Sequence, residues 1–124
     1  MSNKNIYITI NRIFNTDKTI QKGLMFIKRL SNNVGALFCM PNNKVHMFWM
    51  KNTYVSLDII FMDQNFNVVG TRTNSKPLDL DFIFVNRKSK YIIEIKAGFV
   101  TRNNIQVGDT IIPVYIDKTQ RRRK

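Results

Sequence analysis

Hydrophobic positions in this chain fall mostly in short runs that alternate with polar residues. Spacings of three and four, the mark of a helix, are scarce. Ile6, Ile8 and Ile10 share one face of a predicted strand, with Tyr7, Thr9 and Asn11 opposite. Thr16 is placed to cap a short helix over about Asp17 to Lys22, with Gly23 ending it. A second helical turn is expected over Phe26 to Leu30. Gly35 to Met40 reads as a buried strand, Pro41-Asn42-Asn43 as a turn, and Val45 to Met50 as the next strand. Leu57 to Asp63 follows as a strand, with Gln64-Asn65 as a hairpin corner into Phe66 to Thr73. Asn74 to Pro77 is loop, and Leu78 to Val85 is a candidate edge strand. Tyr91 to Lys96 is a strand that Ala97-Gly98 breaks. Phe99 to Asn104 makes one helical turn, with Asn104 left-handed at its end. Thr110 to Ile116 is the last strand, and Pro113 places it at a sheet edge or bulge. Many short strands and little helix predict a mainly β fold: a compact antiparallel β-sandwich or barrel with one or two short helices.

Length and charge narrow this. The 124 residues fit one domain, expected over 1–117, followed by a basic tail over 118–124. A chain of this size can bury a core without disulfides or metals. The formal charge is +12, from 20 basic and 8 acidic residues. Five of the basic residues, Lys118, Arg121, Arg122, Arg123 and Lys124, lie in the last seven positions. Such a chain favours acidic partners: nucleic acid, an anionic membrane or an acidic protein surface. There is no apolar run long enough for a membrane span and no signal-peptide pattern, so an intracellular protein is expected. Asn, Ile and Lys abound while Ala occurs only twice, a bias that suits A/T-rich microbes and large DNA viruses.

Candidate chemistry is sparse. Zinc needs about four ligands at close range, and the chain has one His, His46, and one Cys, Cys39. A Cys39–His46 nucleophile pair would need an accessible thiolate, but Cys39 sits among apolar residues that raise a thiol pKa. No phosphate-binding glycine motif and no nucleic-acid-binding signature is present. No catalytic, metal or cofactor-binding residue is therefore assigned. Asp58 and Glu94 stand out because both interrupt apolar strands, where a carboxylate must find donors or face solvent. Lys51, Asn52 and Thr53 are candidate donors for Asp58. The expectation is a polar clasp of Lys51, Asn52, Thr53, Asp58 and Glu94 that fixes strand register. The alternative is a small anion or polar-ligand pocket around Lys51 and Asn52.

Several motifs fall in a telling order: Gly23-Leu24-Met25-Phe26, Gly35-Ala36-Leu37-Phe38, Phe48-Trp49-Met50-Lys51-Asn52-Thr53, Leu57-Asp58-Ile59-Ile60-Phe61, Tyr91-Ile92-Ile93-Glu94-Ile95 and Val107-Gly108-Asp109. Over about residues 20 to 112 this order strongly resembles the DUF192 (UPF0127) family. The resemblance implies a compact, mainly β fold and no assigned reaction or cofactor. Many members carry a Pro-Cys and Tyr-rich loop before the strand that begins here at Tyr91. The corresponding Ser75 to Phe84 has no Cys.

The expected function is a non-enzymatic structural or interaction module. It would be a small basic β domain docking through its tail on an acidic protein partner in a larger assembly. A virus-encoded minor capsid or virion component is the specific form of that expectation. The alternatives are a nucleic-acid-binding accessory protein, or a small-ligand-binding domain using Lys51, Asn52 and Asp58.

Overall fold

The structure, a computed structural model, describes residues 3–116; the expected docking tail, Lys118 to Lys124, lies outside the described residues. The elements are β1 (Asn5–Phe14), α1 (Asp17–Lys22), β2 (Val34–Lys44), β3 (Leu57–Met62), β4 (Val68–Ser75), β5 (Ser89–Lys96), α2 (Phe99–Arg102) and β6 (Thr110–Tyr115). The six strands form one sheet in the order β4-β3-β5-β2-β1-β6. The mainly β class with two short helices is as the hydrophobic pattern predicts.

The pairing is mixed rather than wholly antiparallel. β1 runs parallel to both β2 and β6, whereas β2–β5, β3–β5 and β3–β4 are antiparallel. A parallel neighbour cannot be reached by a tight turn and requires a crossover. The stretch between β1 and β2, which contains α1, supplies it. Alternation within a strand shows which face is buried and says nothing of its neighbour's direction.

The sheet curls until its two edges meet at one end. Val68 N–H donates to the Asp109 carbonyl at 2.8 Å, Gly108 N–H to Val68 at 2.9 Å and Ile111 N–H to Phe66 at 2.9 Å. An isolated bridge pairs Asn67 with Thr110 beside these bonds. Asp109, fully buried, binds Lys4 Nζ at 2.6 Å and tethers the start of β1 to the start of β6. Pro113 sits in the edge strand β6, where its missing N–H breaks no inner ladder.

Both faces of the sheet are covered, so its inner strands read as largely apolar runs, broken by Asp58 in β3 and Glu94 in β5. All six residues of β3 are buried. On the inner face, Ile8, Ile10, Leu37, Ile60 and Ile93 pack with Phe99 and Val100 of α2. On the outer face, Ala36, Phe38, Ile59, Phe61 and Ile92 pack under Leu24 and Met50. Each buried Ile, Leu or Phe stabilises by about 1.5–3 kcal/mol, so these two layers hold the fold.

α1 forms where expected because its cap is complete. Thr16 Oγ1 accepts from Thr19 N–H at 3.1 Å, and Thr19 Oγ1 accepts in return from Thr16 N–H at 3.1 Å. Gly23, at φ +48°, turns the chain out of the helix.

Four local expectations are corrected. Phe26 to Leu30 is not helical: Phe26 adopts φ +67° and its N–H donates to the Asn52 carbonyl at 2.8 Å instead of continuing a turn. Pro41-Asn42-Asn43 does not turn but continues β2 through a register shift between Cys39 and Lys44. Val45 to Met50 is an extended strap outside the sheet. It makes one bridge, Phe48 to Ile83, with bonds of 2.9 and 2.7 Å. Leu78 to Val85 is accordingly a loop facing that strap rather than an edge strand.

Candidate functional site

The two buried acids flagged in the sequence lie on opposite faces of the sheet. Asp58 shares the inner face with Ile60 and Met62 and has 0% of its surface exposed. Its donors are backbone amides. Asn74 N–H reaches Oδ1 at 3.0 Å, while Gly98 N–H and Val100 N–H reach Oδ2 at 3.0 and 2.9 Å. Gly98, at φ +107°, presents its amide just ahead of α2, a conformation that side chains rarely tolerate. The carboxylate thus stitches β3 to the end of β4 and the start of α2.

Lys51, Asn52 and Thr53 do not supply those donors. Lys51 is exposed, and its Nζ lies 5.1 Å from the Trp49 ring centroid. Asn52, at φ +54°, uses its carbonyl to hold Phe26. Thr53 is buried and donates its hydroxyl to the Lys51 carbonyl at 3.1 Å. The five residues therefore split: Asp58 on one face, Thr53 and Glu94 in a pocket on the other, and Lys51 and Asn52 beside its mouth.

Glu94 is 6% exposed and points to the outer face. Its register partners are Ala36 on β2 and Ile59 on β3, neither of which has a donor side chain. Its carboxyl lines a pocket of about 200 Å³ walled by Phe38, Met40, Phe48, Trp49 and Met25. Among the described residues, none donates a hydrogen bond to it. Burial in this apolar setting pushes its pKa up to about 8. The shift favours the protonated form near neutral pH, with one donor and one acceptor facing the hollow.

The sequence builds this pocket in three pieces. β5 brings Glu94 to the floor. The α1–Gly23 turn supplies Lys22 and Met25. The strap forms the far wall, with the inward residues Phe48 and Met50 fixing it over Phe38 and Phe61; ring centroids lie 5.4 Å apart for Phe38–Phe48 and 6.0 Å for Phe48–Phe61. The adjoining hollow, about 380 Å³, shares Gln21, Lys22, Met25 and Trp49 with it and adds Lys18 and Lys51. Phe82 stacks on the outer side of Trp49 at 6.1 Å.

Of this ensemble only Thr53 and Glu94 were singled out in the sequence, with Lys51 and Asn52 at the mouth. Trp49, Met25 and Lys22 were missed as lining. One signal was available: Trp49 falls on the outward side of the alternating Val45 to Met50 run, an unusual place for a large ring.

The other reactive side chains stand apart. His46 is buried, and its Nε2 lies 2.8 Å from the Asn42 carbonyl, which makes it the proton-bearing nitrogen. Burial lowers its pKa. Burial likewise raises the Cys39 thiol, with Lys90 opposing. Among the described residues, no three of His, Cys, Asp and Glu gather into a metal-ligand set, and no helix is long and apolar enough to cross a membrane.

A curled, mixed six-stranded sheet with a capped helix and a strap over its outer face defines a small mainly β domain with one acid-floored pocket. The chain belongs to the DUF192 family, described as "Uncharacterized ACR, COG1430", whose model matches residues 2–112. The match begins well before the first motif that carried the sequence resemblance and takes in β1. Among solved structures, a protein of unknown function from Novosphingobium aromaticivorans is 30% identical, with a TM-score of 0.75 over 79% of this chain and 70% of its own. A protein from Sinorhizobium meliloti, named as a proposed transcription regulator, is 26% identical. Its TM-score is 0.76 over 79% of this chain and 76% of its own. No curated protein sequence matches the chain.

Proposed function

We propose that this chain is a non-enzymatic binding domain whose ligand site is the pocket over Glu94. The observation that carries the reading is a buried carboxyl with no hydrogen-bond donor among the described residues, lining an apolar hollow that opens to solvent. Among the described residues the sealed, unpartnered side-chain atoms are Asn11 Oδ1 and Ser89 Oγ; the Glu94 oxygens instead face the opening of the hollow, where a ligand can reach them and pair with them. Pockets of this kind, apolar walls with a few placed polar groups, are the usual form of small-molecule sites.

The poverty of the site supports binding over catalysis. General acid–base chemistry wants a second group within reach of the reacting atoms. Among the described residues, Lys22 is the one other ionisable side chain of the pocket wall, and no His, Cys or second acid joins it. Docking of the basic tail on an acidic partner, in a capsid or elsewhere, rests on residues outside the described ones.

Trp49 is the only tryptophan and lines the pocket, so its fluorescence reports occupancy. A panel of small organic acids, amines and neutral aromatics at millimolar concentration is the test. At least one class should change Trp49 emission and shift the backbone amide resonances of Gly23, Met25 and Thr53. Shifts confined to other surfaces, or none across the panel, would refute the reading.

A further inference from the structure

The pocket's charge is asymmetric, and this restricts what it can take. The floor holds Glu94, flanked along the sheet by Ala36 and Ile59, with no charged neighbour on β2 or β3 at that level. Of the elements packed over it, α1 presents Lys22 at the pocket wall and Lys18 at the adjoining hollow. Lys51, in the turn just after the strap, lies at the same hollow. Among the described residues, no acidic side chain other than Glu94 lines either space. Between floor and rim the walls are apolar and aromatic. Resting on the reading of the pocket as a ligand site, we infer that its ligand is a small amphipathic anion. Its acid group meets Lys18, Lys22 and Lys51, its flat apolar body lies against Trp49, and its far end accepts a hydrogen bond from the Glu94 carboxyl.

Each part follows from a physical constraint. Lys22 lines the pocket, and Lys18 and Lys51 line the hollow beside it, in a chain of net charge +12; these charges repel a cation and attract an anion. Trp49 is held by Phe82 at 6.1 Å and has Lys51 Nζ over its ring at 5.1 Å, so an apolar body against it displaces or lies beside an ammonium that its own acid group can engage. At the floor, a protonated carboxyl has one O–H to give, and no described residue takes it. An acceptor on the ligand completes that bond.

Three congeners separate the possibilities: 4-acetylbenzoate has acid, ring and acceptor; 4-isopropylbenzoate lacks the acceptor; 4-acetylbenzylammonium reverses the charge. Titration of the full chain, followed by Trp49 fluorescence and amide shifts, should rank 4-acetylbenzoate first. Loss of the acceptor should weaken binding about three- to tenfold, the range of one net hydrogen bond. Glu94→Gln keeps a donor and should bind 4-acetylbenzoate with no pH dependence. The parent should lose affinity as pH rises through about 8, as the Glu94 proton leaves. Lys22→Gln, on the exposed face of α1, should weaken both benzoates alike and flatten their salt dependence.

If 4-acetylbenzylammonium binds best, and more tightly as pH rises, the pocket is a cation site. The anion assignment then falls while the pocket reading stands. If the two benzoates bind equally and Glu94→Gln changes nothing with pH, the hydrogen bond from the floor is refuted. If none of the three moves Gly23, Met25 or Thr53 while other compounds of the wider panel do, the ligand class is wrong. If nothing in either set moves them, the pocket reading itself fails.

Discussion

Asp58 and Glu94 are the same kind of group in the same kind of place, an acid inside an apolar strand at the middle of one sheet. Both are more than nine-tenths buried. They differ in what they face. Asp58 faces the inner layer, where three backbone amides converge on its two oxygens within 3.0 Å. Glu94 faces the outer layer, where its neighbours are Ala36, Ile59 and aromatic rings, and an open hollow stands where donors would be. Burial alone therefore does not mark a functional acid. A carboxylate saturated by the backbone is a fastener; one left without donors at the edge of a cavity is a candidate for binding.

Removing the fastener should have the largest effect. Asp58→Ala leaves three amides orphaned where β4, β3 and α2 meet. Each buried donor left without an acceptor costs about 1–3 kcal/mol, so the three together should cost about 3 kcal/mol or more. Asp58→Asn should also destabilise, because both oxygens accept and one end of the amide would set a donor against a donor. Urea unfolding at neutral pH measures this. A loss below about 1 kcal/mol for Asp58→Ala would erase the contrast between the two acids.

Glu94 should show itself through pH rather than through deletion. Its folded pKa of about 8 lies above the ordinary value of 4.5. Between those values the folded chain holds a proton that the unfolded chain has lost, so raising the pH favours unfolding. Its contribution is fully present below about pH 4.5 and is lost as pH rises through 8. The total is on the order of 5 kcal/mol. Glu94→Gln cannot ionise and should remove that slope, becoming more stable than the parent near pH 8. Parallel stability curves for the two proteins would show that Glu94 titrates normally.

The sequence made one half of this contrast legible. Both acids are visible as interruptions of apolar runs, and so are the strands that hold them. The capped helix at Thr16, the Gln64-Asn65 corner, the left-handed Asn104 (φ +48°) and the edge position of Pro113 were also readable, because each depends on local chemistry. Asp58's donors were not readable. Two of them come from residues 40 and 42 positions away, and a backbone amide leaves no mark on residue identity. Val45 to Met50 failed for a related reason. Its alternation truly separates buried His46 and Met50 from exposed Met47 and Trp49, yet its partner is a single bridge to Ile83. Period two reports an extended, half-buried chain, and membership of a sheet is decided by what lies alongside.

The smallest expected effect is the most discriminating for the clasp first read from the sequence. Were Lys51 a partner of Asp58, its truncation would leave a buried acid short of a donor. In the structure Lys51 is exposed and rests over the Trp49 ring at 5.1 Å, an exposed contact worth about 0.5–1 kcal/mol. Lys51→Ala should therefore move the urea midpoint by no more than about 1 kcal/mol and leave the Asp58→Ala loss unchanged in the double variant, since the two sites share no partner. A coupling above about 1 kcal/mol would restore Lys51 to the Asp58 network. Its absence, with a change in Trp49 emission, would place Lys51 at the mouth of the Glu94 pocket, where it acts on what enters rather than on how the sheet holds together.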